Sequence, residues 1–332
     1  MLDRTQTSNR KATLILAATS ASLKQNISKI NLSKDTVRRT RQKHREELAK
    51  YIRESFKPDT ALTIHWDSKL MKSSNFSESE DRLAILVSGQ GITKLLAIPK
   101  IDGSTGINQA TAVFEVISDW NLSNQVRSLC FDTTASNTGK NEGACIHLEK
   151  KLNKKMLHFA CRHHILELIL TAIFSSELEP AVSGPQIKLF ERFKKKWPTI
   201  DKTEFEGGNI ENRTKIRDFI YDQLKNQQPR DDYREFLMLS LIYLGETTGF
   251  LIYKPGAYHR ARWMSKIIYC LKIYIFRGQF RLSKSELNRL KAFNDFIIEI
   301  YLKVWFLCQS PTTAPRTDLQ LLKDLVQYKK KK

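Results

Sequence analysis

The feature that most constrains the fold is the spacing of apolar residues between residues 60 and 176. Three short apolar, β-branched runs come first, "ALTIHWD", "DRLAILVSG" and "TKLLAIPKI", and runs of this kind between polar breaks predict strands. The segment "NQATAVFEVISDWNL" then has a helical period, with Ala112, Val113, Val116, Ile117 and Trp120 on one side. Two more strand-like runs, "VRSLCFD" and "KMLHFAC", are each followed by a helical segment, "GACIHLEKKLN" and "HHILELILTAIF". The order β-β-β-α-β-α-β-α predicts an α/β fold, a mixed sheet with helices on its faces.

The segments on either side of this region predict helices. A short helix, "KATLILAATSASLKQN", precedes a strongly basic one, for which Ser33 is the expected N-cap. The apolar residues of the short helix that we expect to be available for burial are Leu14, Ile15, Leu16, Ala18 and Leu23. After Phe174 the strand patterns stop, and the remaining segments read as helices between Gly, Pro and Asn breaks. We therefore expect a basic helical segment over residues 1–57, an α/β core over 58–176 and an all-α domain over 177–332.

Charge and composition limit the classes of partner. Lysine and arginine number 55 against 35 acidic residues, a formal net charge of +20. Neutralising phosphates supplies most of the sequence-independent affinity for nucleic acids, so this excess favours a polyanionic partner; a basic protein without such a partner is the alternative. The short helix followed by a basic helix with Arg38, Arg39 and Arg41 has the outline of a DNA-binding helix-turn-helix. A solvated helix that links domains explains the same pattern.

The remaining composition predicts a soluble intracellular protein, nuclear or cytoplasmic. Five cysteines with no paired framework suggest reduced thiols. No signal segment opens the chain, and its longest apolar runs are too short to cross a bilayer, so we expect no membrane association.

Two aspartates stand at the ends of predicted strands. Asp67 ends "ALTIHWD" and Asp132 ends "VRSLCFD". If these strands are neighbours, the two carboxylates converge on one edge of the sheet, and such a pair favours a divalent cation between its oxygens. Mg²⁺ or Mn²⁺ held there could activate a nucleophile for phosphoryl transfer. Taken singly, either aspartate is explained as a turn cap.

The strand order and these aspartates resemble the ribonuclease H-like core of DDE transposases, more narrowly the hAT superfamily. "FDTTASNTGKNEGA" is similar to the family's second catalytic aspartate with its Ala-Ser-Asn turn, "CRHHILELI" to its C-x-x-H segment, and "HRARWMSKIIYCL" to its Arg-Trp motif. The resemblance runs from about residue 60 to 275. It implies a ribonuclease H-like sheet with an inserted helical domain, DNA as partner, and Asp67 and Asp132 as catalytic metal ligands.

The other motifs of the family fall on named residues of this chain. The resemblance places Cys161 and His164 in the C-x-x-H pair, where we expect packing and support beneath the carboxylates. One such pair supplies only two ligands, which does not make a zinc site. Arg262 and Trp263 match the Arg-Trp motif, and in the family this tryptophan stacks on an extruded base near the DNA break. A tryptophan in a helical core is the competing interpretation of Trp263.

The chain departs from the family at the third catalytic acid, a glutamate on a helix after the insertion. Glu286 and Glu299 are the candidates by position, and neither has a motif around it. A dimerisation segment is not recognised, which leaves a homo-oligomer open, and the simplest account is a fragment, or a decayed or shortened copy, of a longer transposase. We expect either a transposase-like protein that cleaves and joins DNA with Mg²⁺ or Mn²⁺, or a non-catalytic DNA-binding derivative. A nuclease acting on RNA is suggested by the shared fold alone.

Overall fold

The computed structural model describes residues 2–26, 29–72, 79–178, 187–246, 249, 251–256, 263–308 and 314–331. The strands are β1 Leu62–Lys72, β2 Ser79–Gly89, β3 Ile92–Ala97, β4 Val126–Phe131 and β5 Leu157–Ala160. The helices up to β5 and directly after it are α1 Asn9–Ser22, α2 Lys34–Ser55, α3 Gly106–Asp119, α4 Ala135–Thr138, α5 Ala144–Leu152 and α6 Arg162–Glu177. Later helices are α7 Lys188–Lys196, α8 Arg213–Leu224, α9 Asp231–Tyr243, α10 Trp263–Ile275, α11 Lys284–Phe296, α12 Leu302–Leu307 and α13 Ala314–Lys331. A π-helical turn, Ile297–Tyr301, joins α11 to α12.

The five strands form one mixed sheet in the order β3-β2-β1-β4-β5, which confirms the expected α/β class. β1 and β2, and β2 and β3, pair antiparallel. In the register of the first pair Ile64 faces Val87 and Trp66 faces Ile85, and all four side chains are buried on one face. This is the alternation that the runs "ALTIHWD" and "DRLAILVSG" predict, because successive side chains of a strand point to opposite faces.

The chain forms two compact units, and neither is a continuous segment. One comprises Met1–Ser128 with Ile146–Met156, and the other Leu129–Cys145 with Leu157–Lys332. These limits differ from the expected boundaries at 57/58 and 176/177, so the three-part division stays a prediction. In the first unit α3 packs on β2 through a buried face at helical spacing that includes Ala110, Val113 and Ile117.

The two N-terminal helices also belong to the first unit. Ser33 caps α2 as expected, and its Oγ accepts a hydrogen bond of 3.0 Å from the backbone N–H of Thr36. α1 packs on α2, and Ala12 and Val37 are the buried side chains of the pair. The expected burial of the larger apolar residues of α1 is wrong. A small alanine makes the close contact, and the side chains that stay exposed are Leu14, Ile15, Leu16, Ala18 and Leu23.

Every regular element described after residue 177 is helical, as the sequence predicts. These helices and α6 share one apolar core, in which Leu166, Leu170 and Phe174 of α6 are buried. The core also encloses a lysine: Lys272 of α10 is 1% exposed, and its Nζ lies 2.6 Å from Oε1 of Glu235. No helix of the described residues is long and apolar enough to cross a membrane.

Candidate functional site

Asp132 follows directly on β4 and organises the turn after it. Its Oδ1 accepts hydrogen bonds from the backbone N–H of Thr134 at 3.1 Å, the Thr134 hydroxyl at 2.6 Å and Nδ2 of Asn137 at 2.7 Å. Partial burial raises the pKa of Asp132, but these hydrogen bonds and the nearby His164 outweigh burial and lower it below its ordinary value. Asp132 is thus an ionised turn cap. All three hydrogen bonds go to Oδ1, and none of them involves Oδ2.

Asp67 lies inside a strand and not at its end. β1 continues to Lys72, and Asp67 pairs in register with Ala84 of β2. Its side chain is exposed, on the face opposite Ile64 and Trp66. The sequence misplaced the end because the residues after Asp67 are polar or exposed, although their backbones still pair with β2. β1 and β4 are neighbours in the sheet, as the metal hypothesis requires, and the convergence of the two carboxylates stays a prediction.

Cys161 and His164 occupy the first turn of α6. Cys161 is the N-cap residue, and its backbone N–H donates a 2.7 Å hydrogen bond to the carbonyl oxygen of Phe131, the last residue of β4. His164 acts electrostatically on Asp132, and its Nδ1 lies 3.9 Å from Oε2 of Glu167. The C-x-x-H segment therefore stands beside the carboxylate that the resemblance pairs it with.

An aromatic cluster, made of His163, Tyr233, Trp263 and Trp305, lies in the same unit. The ring centroids of Trp263 and Trp305 are 3.9 Å apart, and those of Trp305 and His163 are 4.1 Å apart. Tyr233 places its ring 5.6 Å from that of Trp305 and 6.4 Å from that of Trp263. Trp305 is 1% exposed, whereas Trp263 is partly exposed. Trp263 is therefore neither a free surface ring nor a fully enclosed core residue.

Charge accompanies this cluster. The guanidinium of Arg230 lies 5.4 Å from the ring centroid of Tyr233 and also bonds both carboxylate oxygens of Asp232, at 2.9 and 2.5 Å. Burial lowers the pKa of His163, partly offset by its hydrogen bond to the backbone of Trp305, so His163 is neutral at pH 7. Arg262, the other residue of the Arg-Trp motif, lies outside the described residues.

Sequence reasoning missed several members of this region. Tyr233, Trp305 and Arg230 carry no motif, and they meet Trp263 only because α9, α10 and α12 pack together. The one available signal was the concentration of aromatic residues in the helical half of the chain.

The candidate third acids have different surroundings. Glu286 closes a capping box at the start of α11 with Ser283, and its Oε1 lies 2.5 Å from Nη1 of Arg192. These partners outweigh burial and lower the pKa of Glu286. Glu299 lies in the π-helical turn and lines a cavity of about 400 Å³ with Lys215 and Asp324 among its other walls. Glu286 thus has a complete structural role, and the third acid stays unassigned.

The basic helix α2 presents its arginines unequally. Arg39 is exposed, and Arg38, 54% exposed, lies 3.3 Å from Asp35. Arg41 instead connects α2 to the N-terminal segment. Its side chain is 14% exposed, donates to the carbonyl of Thr7 at 2.8 Å and Oδ1 of Asn9 at 2.7 Å, and pairs with Asp3. Arg38 and Arg39 are therefore the predicted DNA-binding residues of α2 that face solvent.

The side chains of the described residues show whether a metal ion could be bound. Among the residues that the structure describes, no group of three or more His, Cys, Asp or Glu side chains is arranged to hold a metal ion. Asp132, with one oxygen committed to its turn, does not form such a site by itself, so the described residues do not fit a bound Mg²⁺.

Comparison with known proteins leaves the family open. No protein-family model matches the chain, and no curated protein matches it.

Proposed function

We propose that the chain is a DNA-binding protein of the transposase type, related to the hAT superfamily and built on a ribonuclease H-like core. One observation carries the proposal. Asp132 with its turn, the Cys161–His164 segment and Trp263, which the resemblance marks in separate stretches of the sequence, all belong to one compact unit, and the backbone N–H of Cys161 bonds the carbonyl oxygen of Phe131, the residue before Asp132.

The aromatic cluster is suited to hold an unpaired base. Trp263 offers a partly exposed indole whose other side rests on the buried indole of Trp305, so the ring is held in place before any ligand arrives. Stacking on such a ring tolerates any base, because every base has a π face. Arg230 lies against Tyr233, and its charge is paired with the carboxylate of Asp232. The net charge of +20 and the exposed Arg38 and Arg39 add affinity for the phosphate backbone.

The test is DNA binding by the full chain, measured by fluorescence anisotropy with single-stranded and duplex DNA of mixed sequence. Trp263→Ala is expected to weaken single-strand binding by about 1–3 kcal/mol, the usual contribution of one stacked base, and to affect duplex binding less. Tyr221→Ala is the matched control, because Tyr221 is a 43% exposed aromatic side chain on α8. If Trp263→Ala folds and binds single strands as tightly as the wild type, the stacking role is wrong.

The contribution of α2 is tested through salt dependence. Each phosphate contact that is lost is expected to reduce the slope of log K against log salt by about one. Arg38→Ala and Arg39→Ala should therefore lower the slope without changing the preference for sequence. Lys50→Ala on the same helix is the control, because Lys50 lies about three turns further along α2 than Arg39.

Metal-dependent cleavage and joining of DNA strands is the second candidate. The resemblance alone favours it, since no group of three metal-ligating side chains is found among the described residues. Asp67→Asn and Asp132→Asn should each abolish cleavage of a nicked or flanked duplex in Mg²⁺ or Mn²⁺ and leave DNA affinity nearly unchanged. If the wild-type chain binds DNA but does not cleave it in Mg²⁺ or in Mn²⁺, the cleavage hypothesis is wrong and non-catalytic DNA binding remains.

A further inference from the structure

α7 presents a row of cations to solvent. Of its nine residues, five are basic and one is acidic. The exposed basic residues stand at i, i+4, i+7 and i+8, a spacing that places them on one face of the helix: Lys188, Arg192, Lys195 and Lys196. A separate face is apolar and packs into the helical core through Leu189, Phe190 and Phe193. The cations therefore lie outside the core that holds α7 in place.

The start of α11 extends this basic face. Nη2 of Arg192 donates a hydrogen bond of 2.8 Å to the carbonyl oxygen of Arg281, and Nη1 lies 2.5 Å from Oε1 of Glu286. Arg281 and Lys284, the first residue of α11, are both exposed. We call these six cations the α7–α11 basic surface: Lys188, Arg192, Lys195, Lys196, Arg281 and Lys284.

Two carboxylates compensate only part of this charge. Oε1 of Glu191 lies 3.1 Å from Nζ of Lys195, and Glu286 pairs with Arg192. Lys188 and Lys196 form no ion pair with any side chain that the structure describes. These two ammonium groups can therefore bind an anion without giving up a partner.

Helix stability does not explain all of these cations. Positive charge in the last turn of a helix is favourable, which accounts for Lys195 and Lys196. Lys188 and Lys284 instead stand at the first residue of their helices, where the same dipole disfavours a cation. The position of these two lysines is therefore not explained by the stability of α7 or α11.

The surface has charge but no apolar anchor. No large apolar side chain is exposed in the ranges 187–200 and 276–290, all of which the structure describes. Protein–protein interfaces have a core of apolar and aromatic side chains, whereas contacts to nucleic-acid phosphates need only cations and other hydrogen-bond donors. From Lys188 to Lys196 the cations cover about 12 Å of helix axis, and a DNA strand carries one phosphate per about 3.4 Å of its own axis. The surface thus matches several successive phosphates.

α7 runs alongside α10 and away from Trp263. The ring of Phe190 stacks on that of Tyr269 with centroids 4.5 Å apart, and the ring of Trp197 lies 5.6 Å from that of Phe276. Both chain segments advance by seven residues between these contacts, so they run in the same direction. Tyr269 and Phe276 follow Trp263 by six and thirteen residues, which is about 9 and 20 Å along the axis of α10. The basic surface and the Trp263 ring are therefore separate places on one unit.

We propose that the α7–α11 basic surface is a second DNA site, which binds the phosphate backbone of duplex DNA without regard to sequence. This inference rests on the proposed function, in which Trp263 holds an unpaired base, and it adds a place for the paired DNA that continues from that base. The contribution of the surface is electrostatic. Each phosphate that it neutralises releases counterions, so its loss appears in the salt dependence of binding.

The experiment measures duplex binding by the full chain at several salt concentrations, using fluorescence anisotropy. The double variant Lys188→Gln with Lys196→Gln should lower the slope of log K against log salt by about two. Trp263→Ala should leave that slope unchanged. The matched control is Lys215→Gln with Lys303→Gln, because these are exposed lysines of the same unit on α8 and α12, and it should also leave the slope unchanged.

The outcomes separate this proposal from the proposed function. If the double variant folds and keeps the wild-type slope, or if the control lowers the slope equally, the surface is not a DNA site and the Trp263 proposal stands by itself. If the wild-type chain binds neither duplex nor single strands, the proposed function is wrong as well. A double variant that loses affinity for polyglutamate but not for DNA identifies an acidic polypeptide as the ligand and overturns the proposal.

The wild-type chain provides a second measurement that needs no variant. Bound duplex should protect Lys188, Lys196 and Lys284 from acetylation, while Lys215 and Lys303 stay reactive. Mass spectrometry of chymotryptic peptides reads the extent of acetylation at each lysine. Equal protection of both sets, or no protection of the first, contradicts the proposal.

Discussion

At the residue scale, Asp132 shows how one carboxylate serves the fold before any ligand is considered. Three donors from Thr134 and Asn137 meet on a single oxygen and fix the turn between β4 and α4. We expect Asp132→Ala to destabilise the protein by about 1 kcal/mol, as for the loss of a capping side chain, and Asp132→Asn to cost less because its amide oxygen still accepts. Chemical denaturation of both variants measures the difference.

The same residue predicts a pH dependence. The folded-state pKa of Asp132 is below its ordinary value of 3.8, so its ionisation stabilises the fold above that value. The stability is lost as pH falls through the folded pKa, because the unfolded chain takes up the proton first. The stability difference between the wild type and Asp132→Asn should therefore shrink as pH falls below about 4. Equal curves at pH 7 and pH 3 would contradict this.

Lys272 is the second residue whose substitution we expect to change the free energy of unfolding. Its ammonium is buried against Glu235 and donates to the carbonyl of Tyr253 at 2.6 Å. Lys272→Met should cost about 3 kcal/mol, at the lower end for a broken buried pair because Glu235 keeps 17% of its side chain exposed. Lys272→Met combined with Glu235→Leu should recover much of that loss. Thermal and urea unfolding of the single and double variants provide the measurement.

Lys272 also gives a pH dependence, of the same sign as that of Asp132 but in the alkaline range. Burial lowers its folded-state pKa below 10.5, and Glu235 offsets part of this shift. The unfolded chain therefore binds more protons in the window between the folded pKa and 10.5, and this group's contribution to stability rises with pH across that window. A wild-type curve that falls more steeply there than the curve of Lys272→Met would contradict the assignment.

The role of Arg41 could not be predicted from the sequence. The sequence grouped it with Arg38 and Arg39 because all three lie in one basic run. The structure turns Arg41 toward Asp3, Thr7 and Asn9, contacts more than thirty residues away that no local pattern contains. Helical phase separates Arg41 from Arg39 but not from Arg38, which is three residues away on the same face, and the identity of its partners could not be deduced.

At the element scale, the capping box of α11 carries a direct prediction. Ser283 Oγ accepts from the backbone N–H of Glu286 at 3.1 Å, and Glu286 accepts from the backbone N–H of Ser283 at 2.8 Å. Ser283→Ala should lower the free energy of unfolding by about 1 kcal/mol. Ser285→Ala, an exposed position inside the same helix, is the control and should be neutral or slightly stabilising. Equal effects of the two changes would argue against the cap.

Elements were predicted better than their extents. The order of strands and helices and the Ser33 cap follow from local periodicity and capping chemistry. The length of β1 does not, because its last residues are held by pairing with β2 and not by their own burial. The exposure of Leu14 and Ile15 has the same origin, since burial of a helix face depends on what lies against it. The aromatic cluster depends on how the helices pack together, so no local sequence pattern could predict it.

At the scale of the whole molecule, the discontinuous units predict how fragments behave. Residues 146–156 complete the unit that begins at the N-terminus: Leu148 is fully buried, and Nζ of Lys154 donates to the carbonyl oxygen of Val126 at 2.7 Å. A fragment ending at residue 128 should therefore be less ordered than one ending at residue 156. Circular dichroism and hydrogen exchange on the two fragments compare them, and equal protection of β1 and β2 in both would refute the dependence.

The π-helical turn at residues 297–301 sets the direction in which the helix after it presents its side chains. One additional residue in a helix shifts the phase of all that follows by about 100°. α12 follows this turn and carries Trp305, so the phase decides whether the indole meets His163 and Trp263. A deletion that restored a regular helix would improve its hydrogen bonding. It would also rotate Trp305 away from His163 and Trp263. The irregular turn thus holds Trp305 behind Trp263, and a regular helix at this point would remove that support.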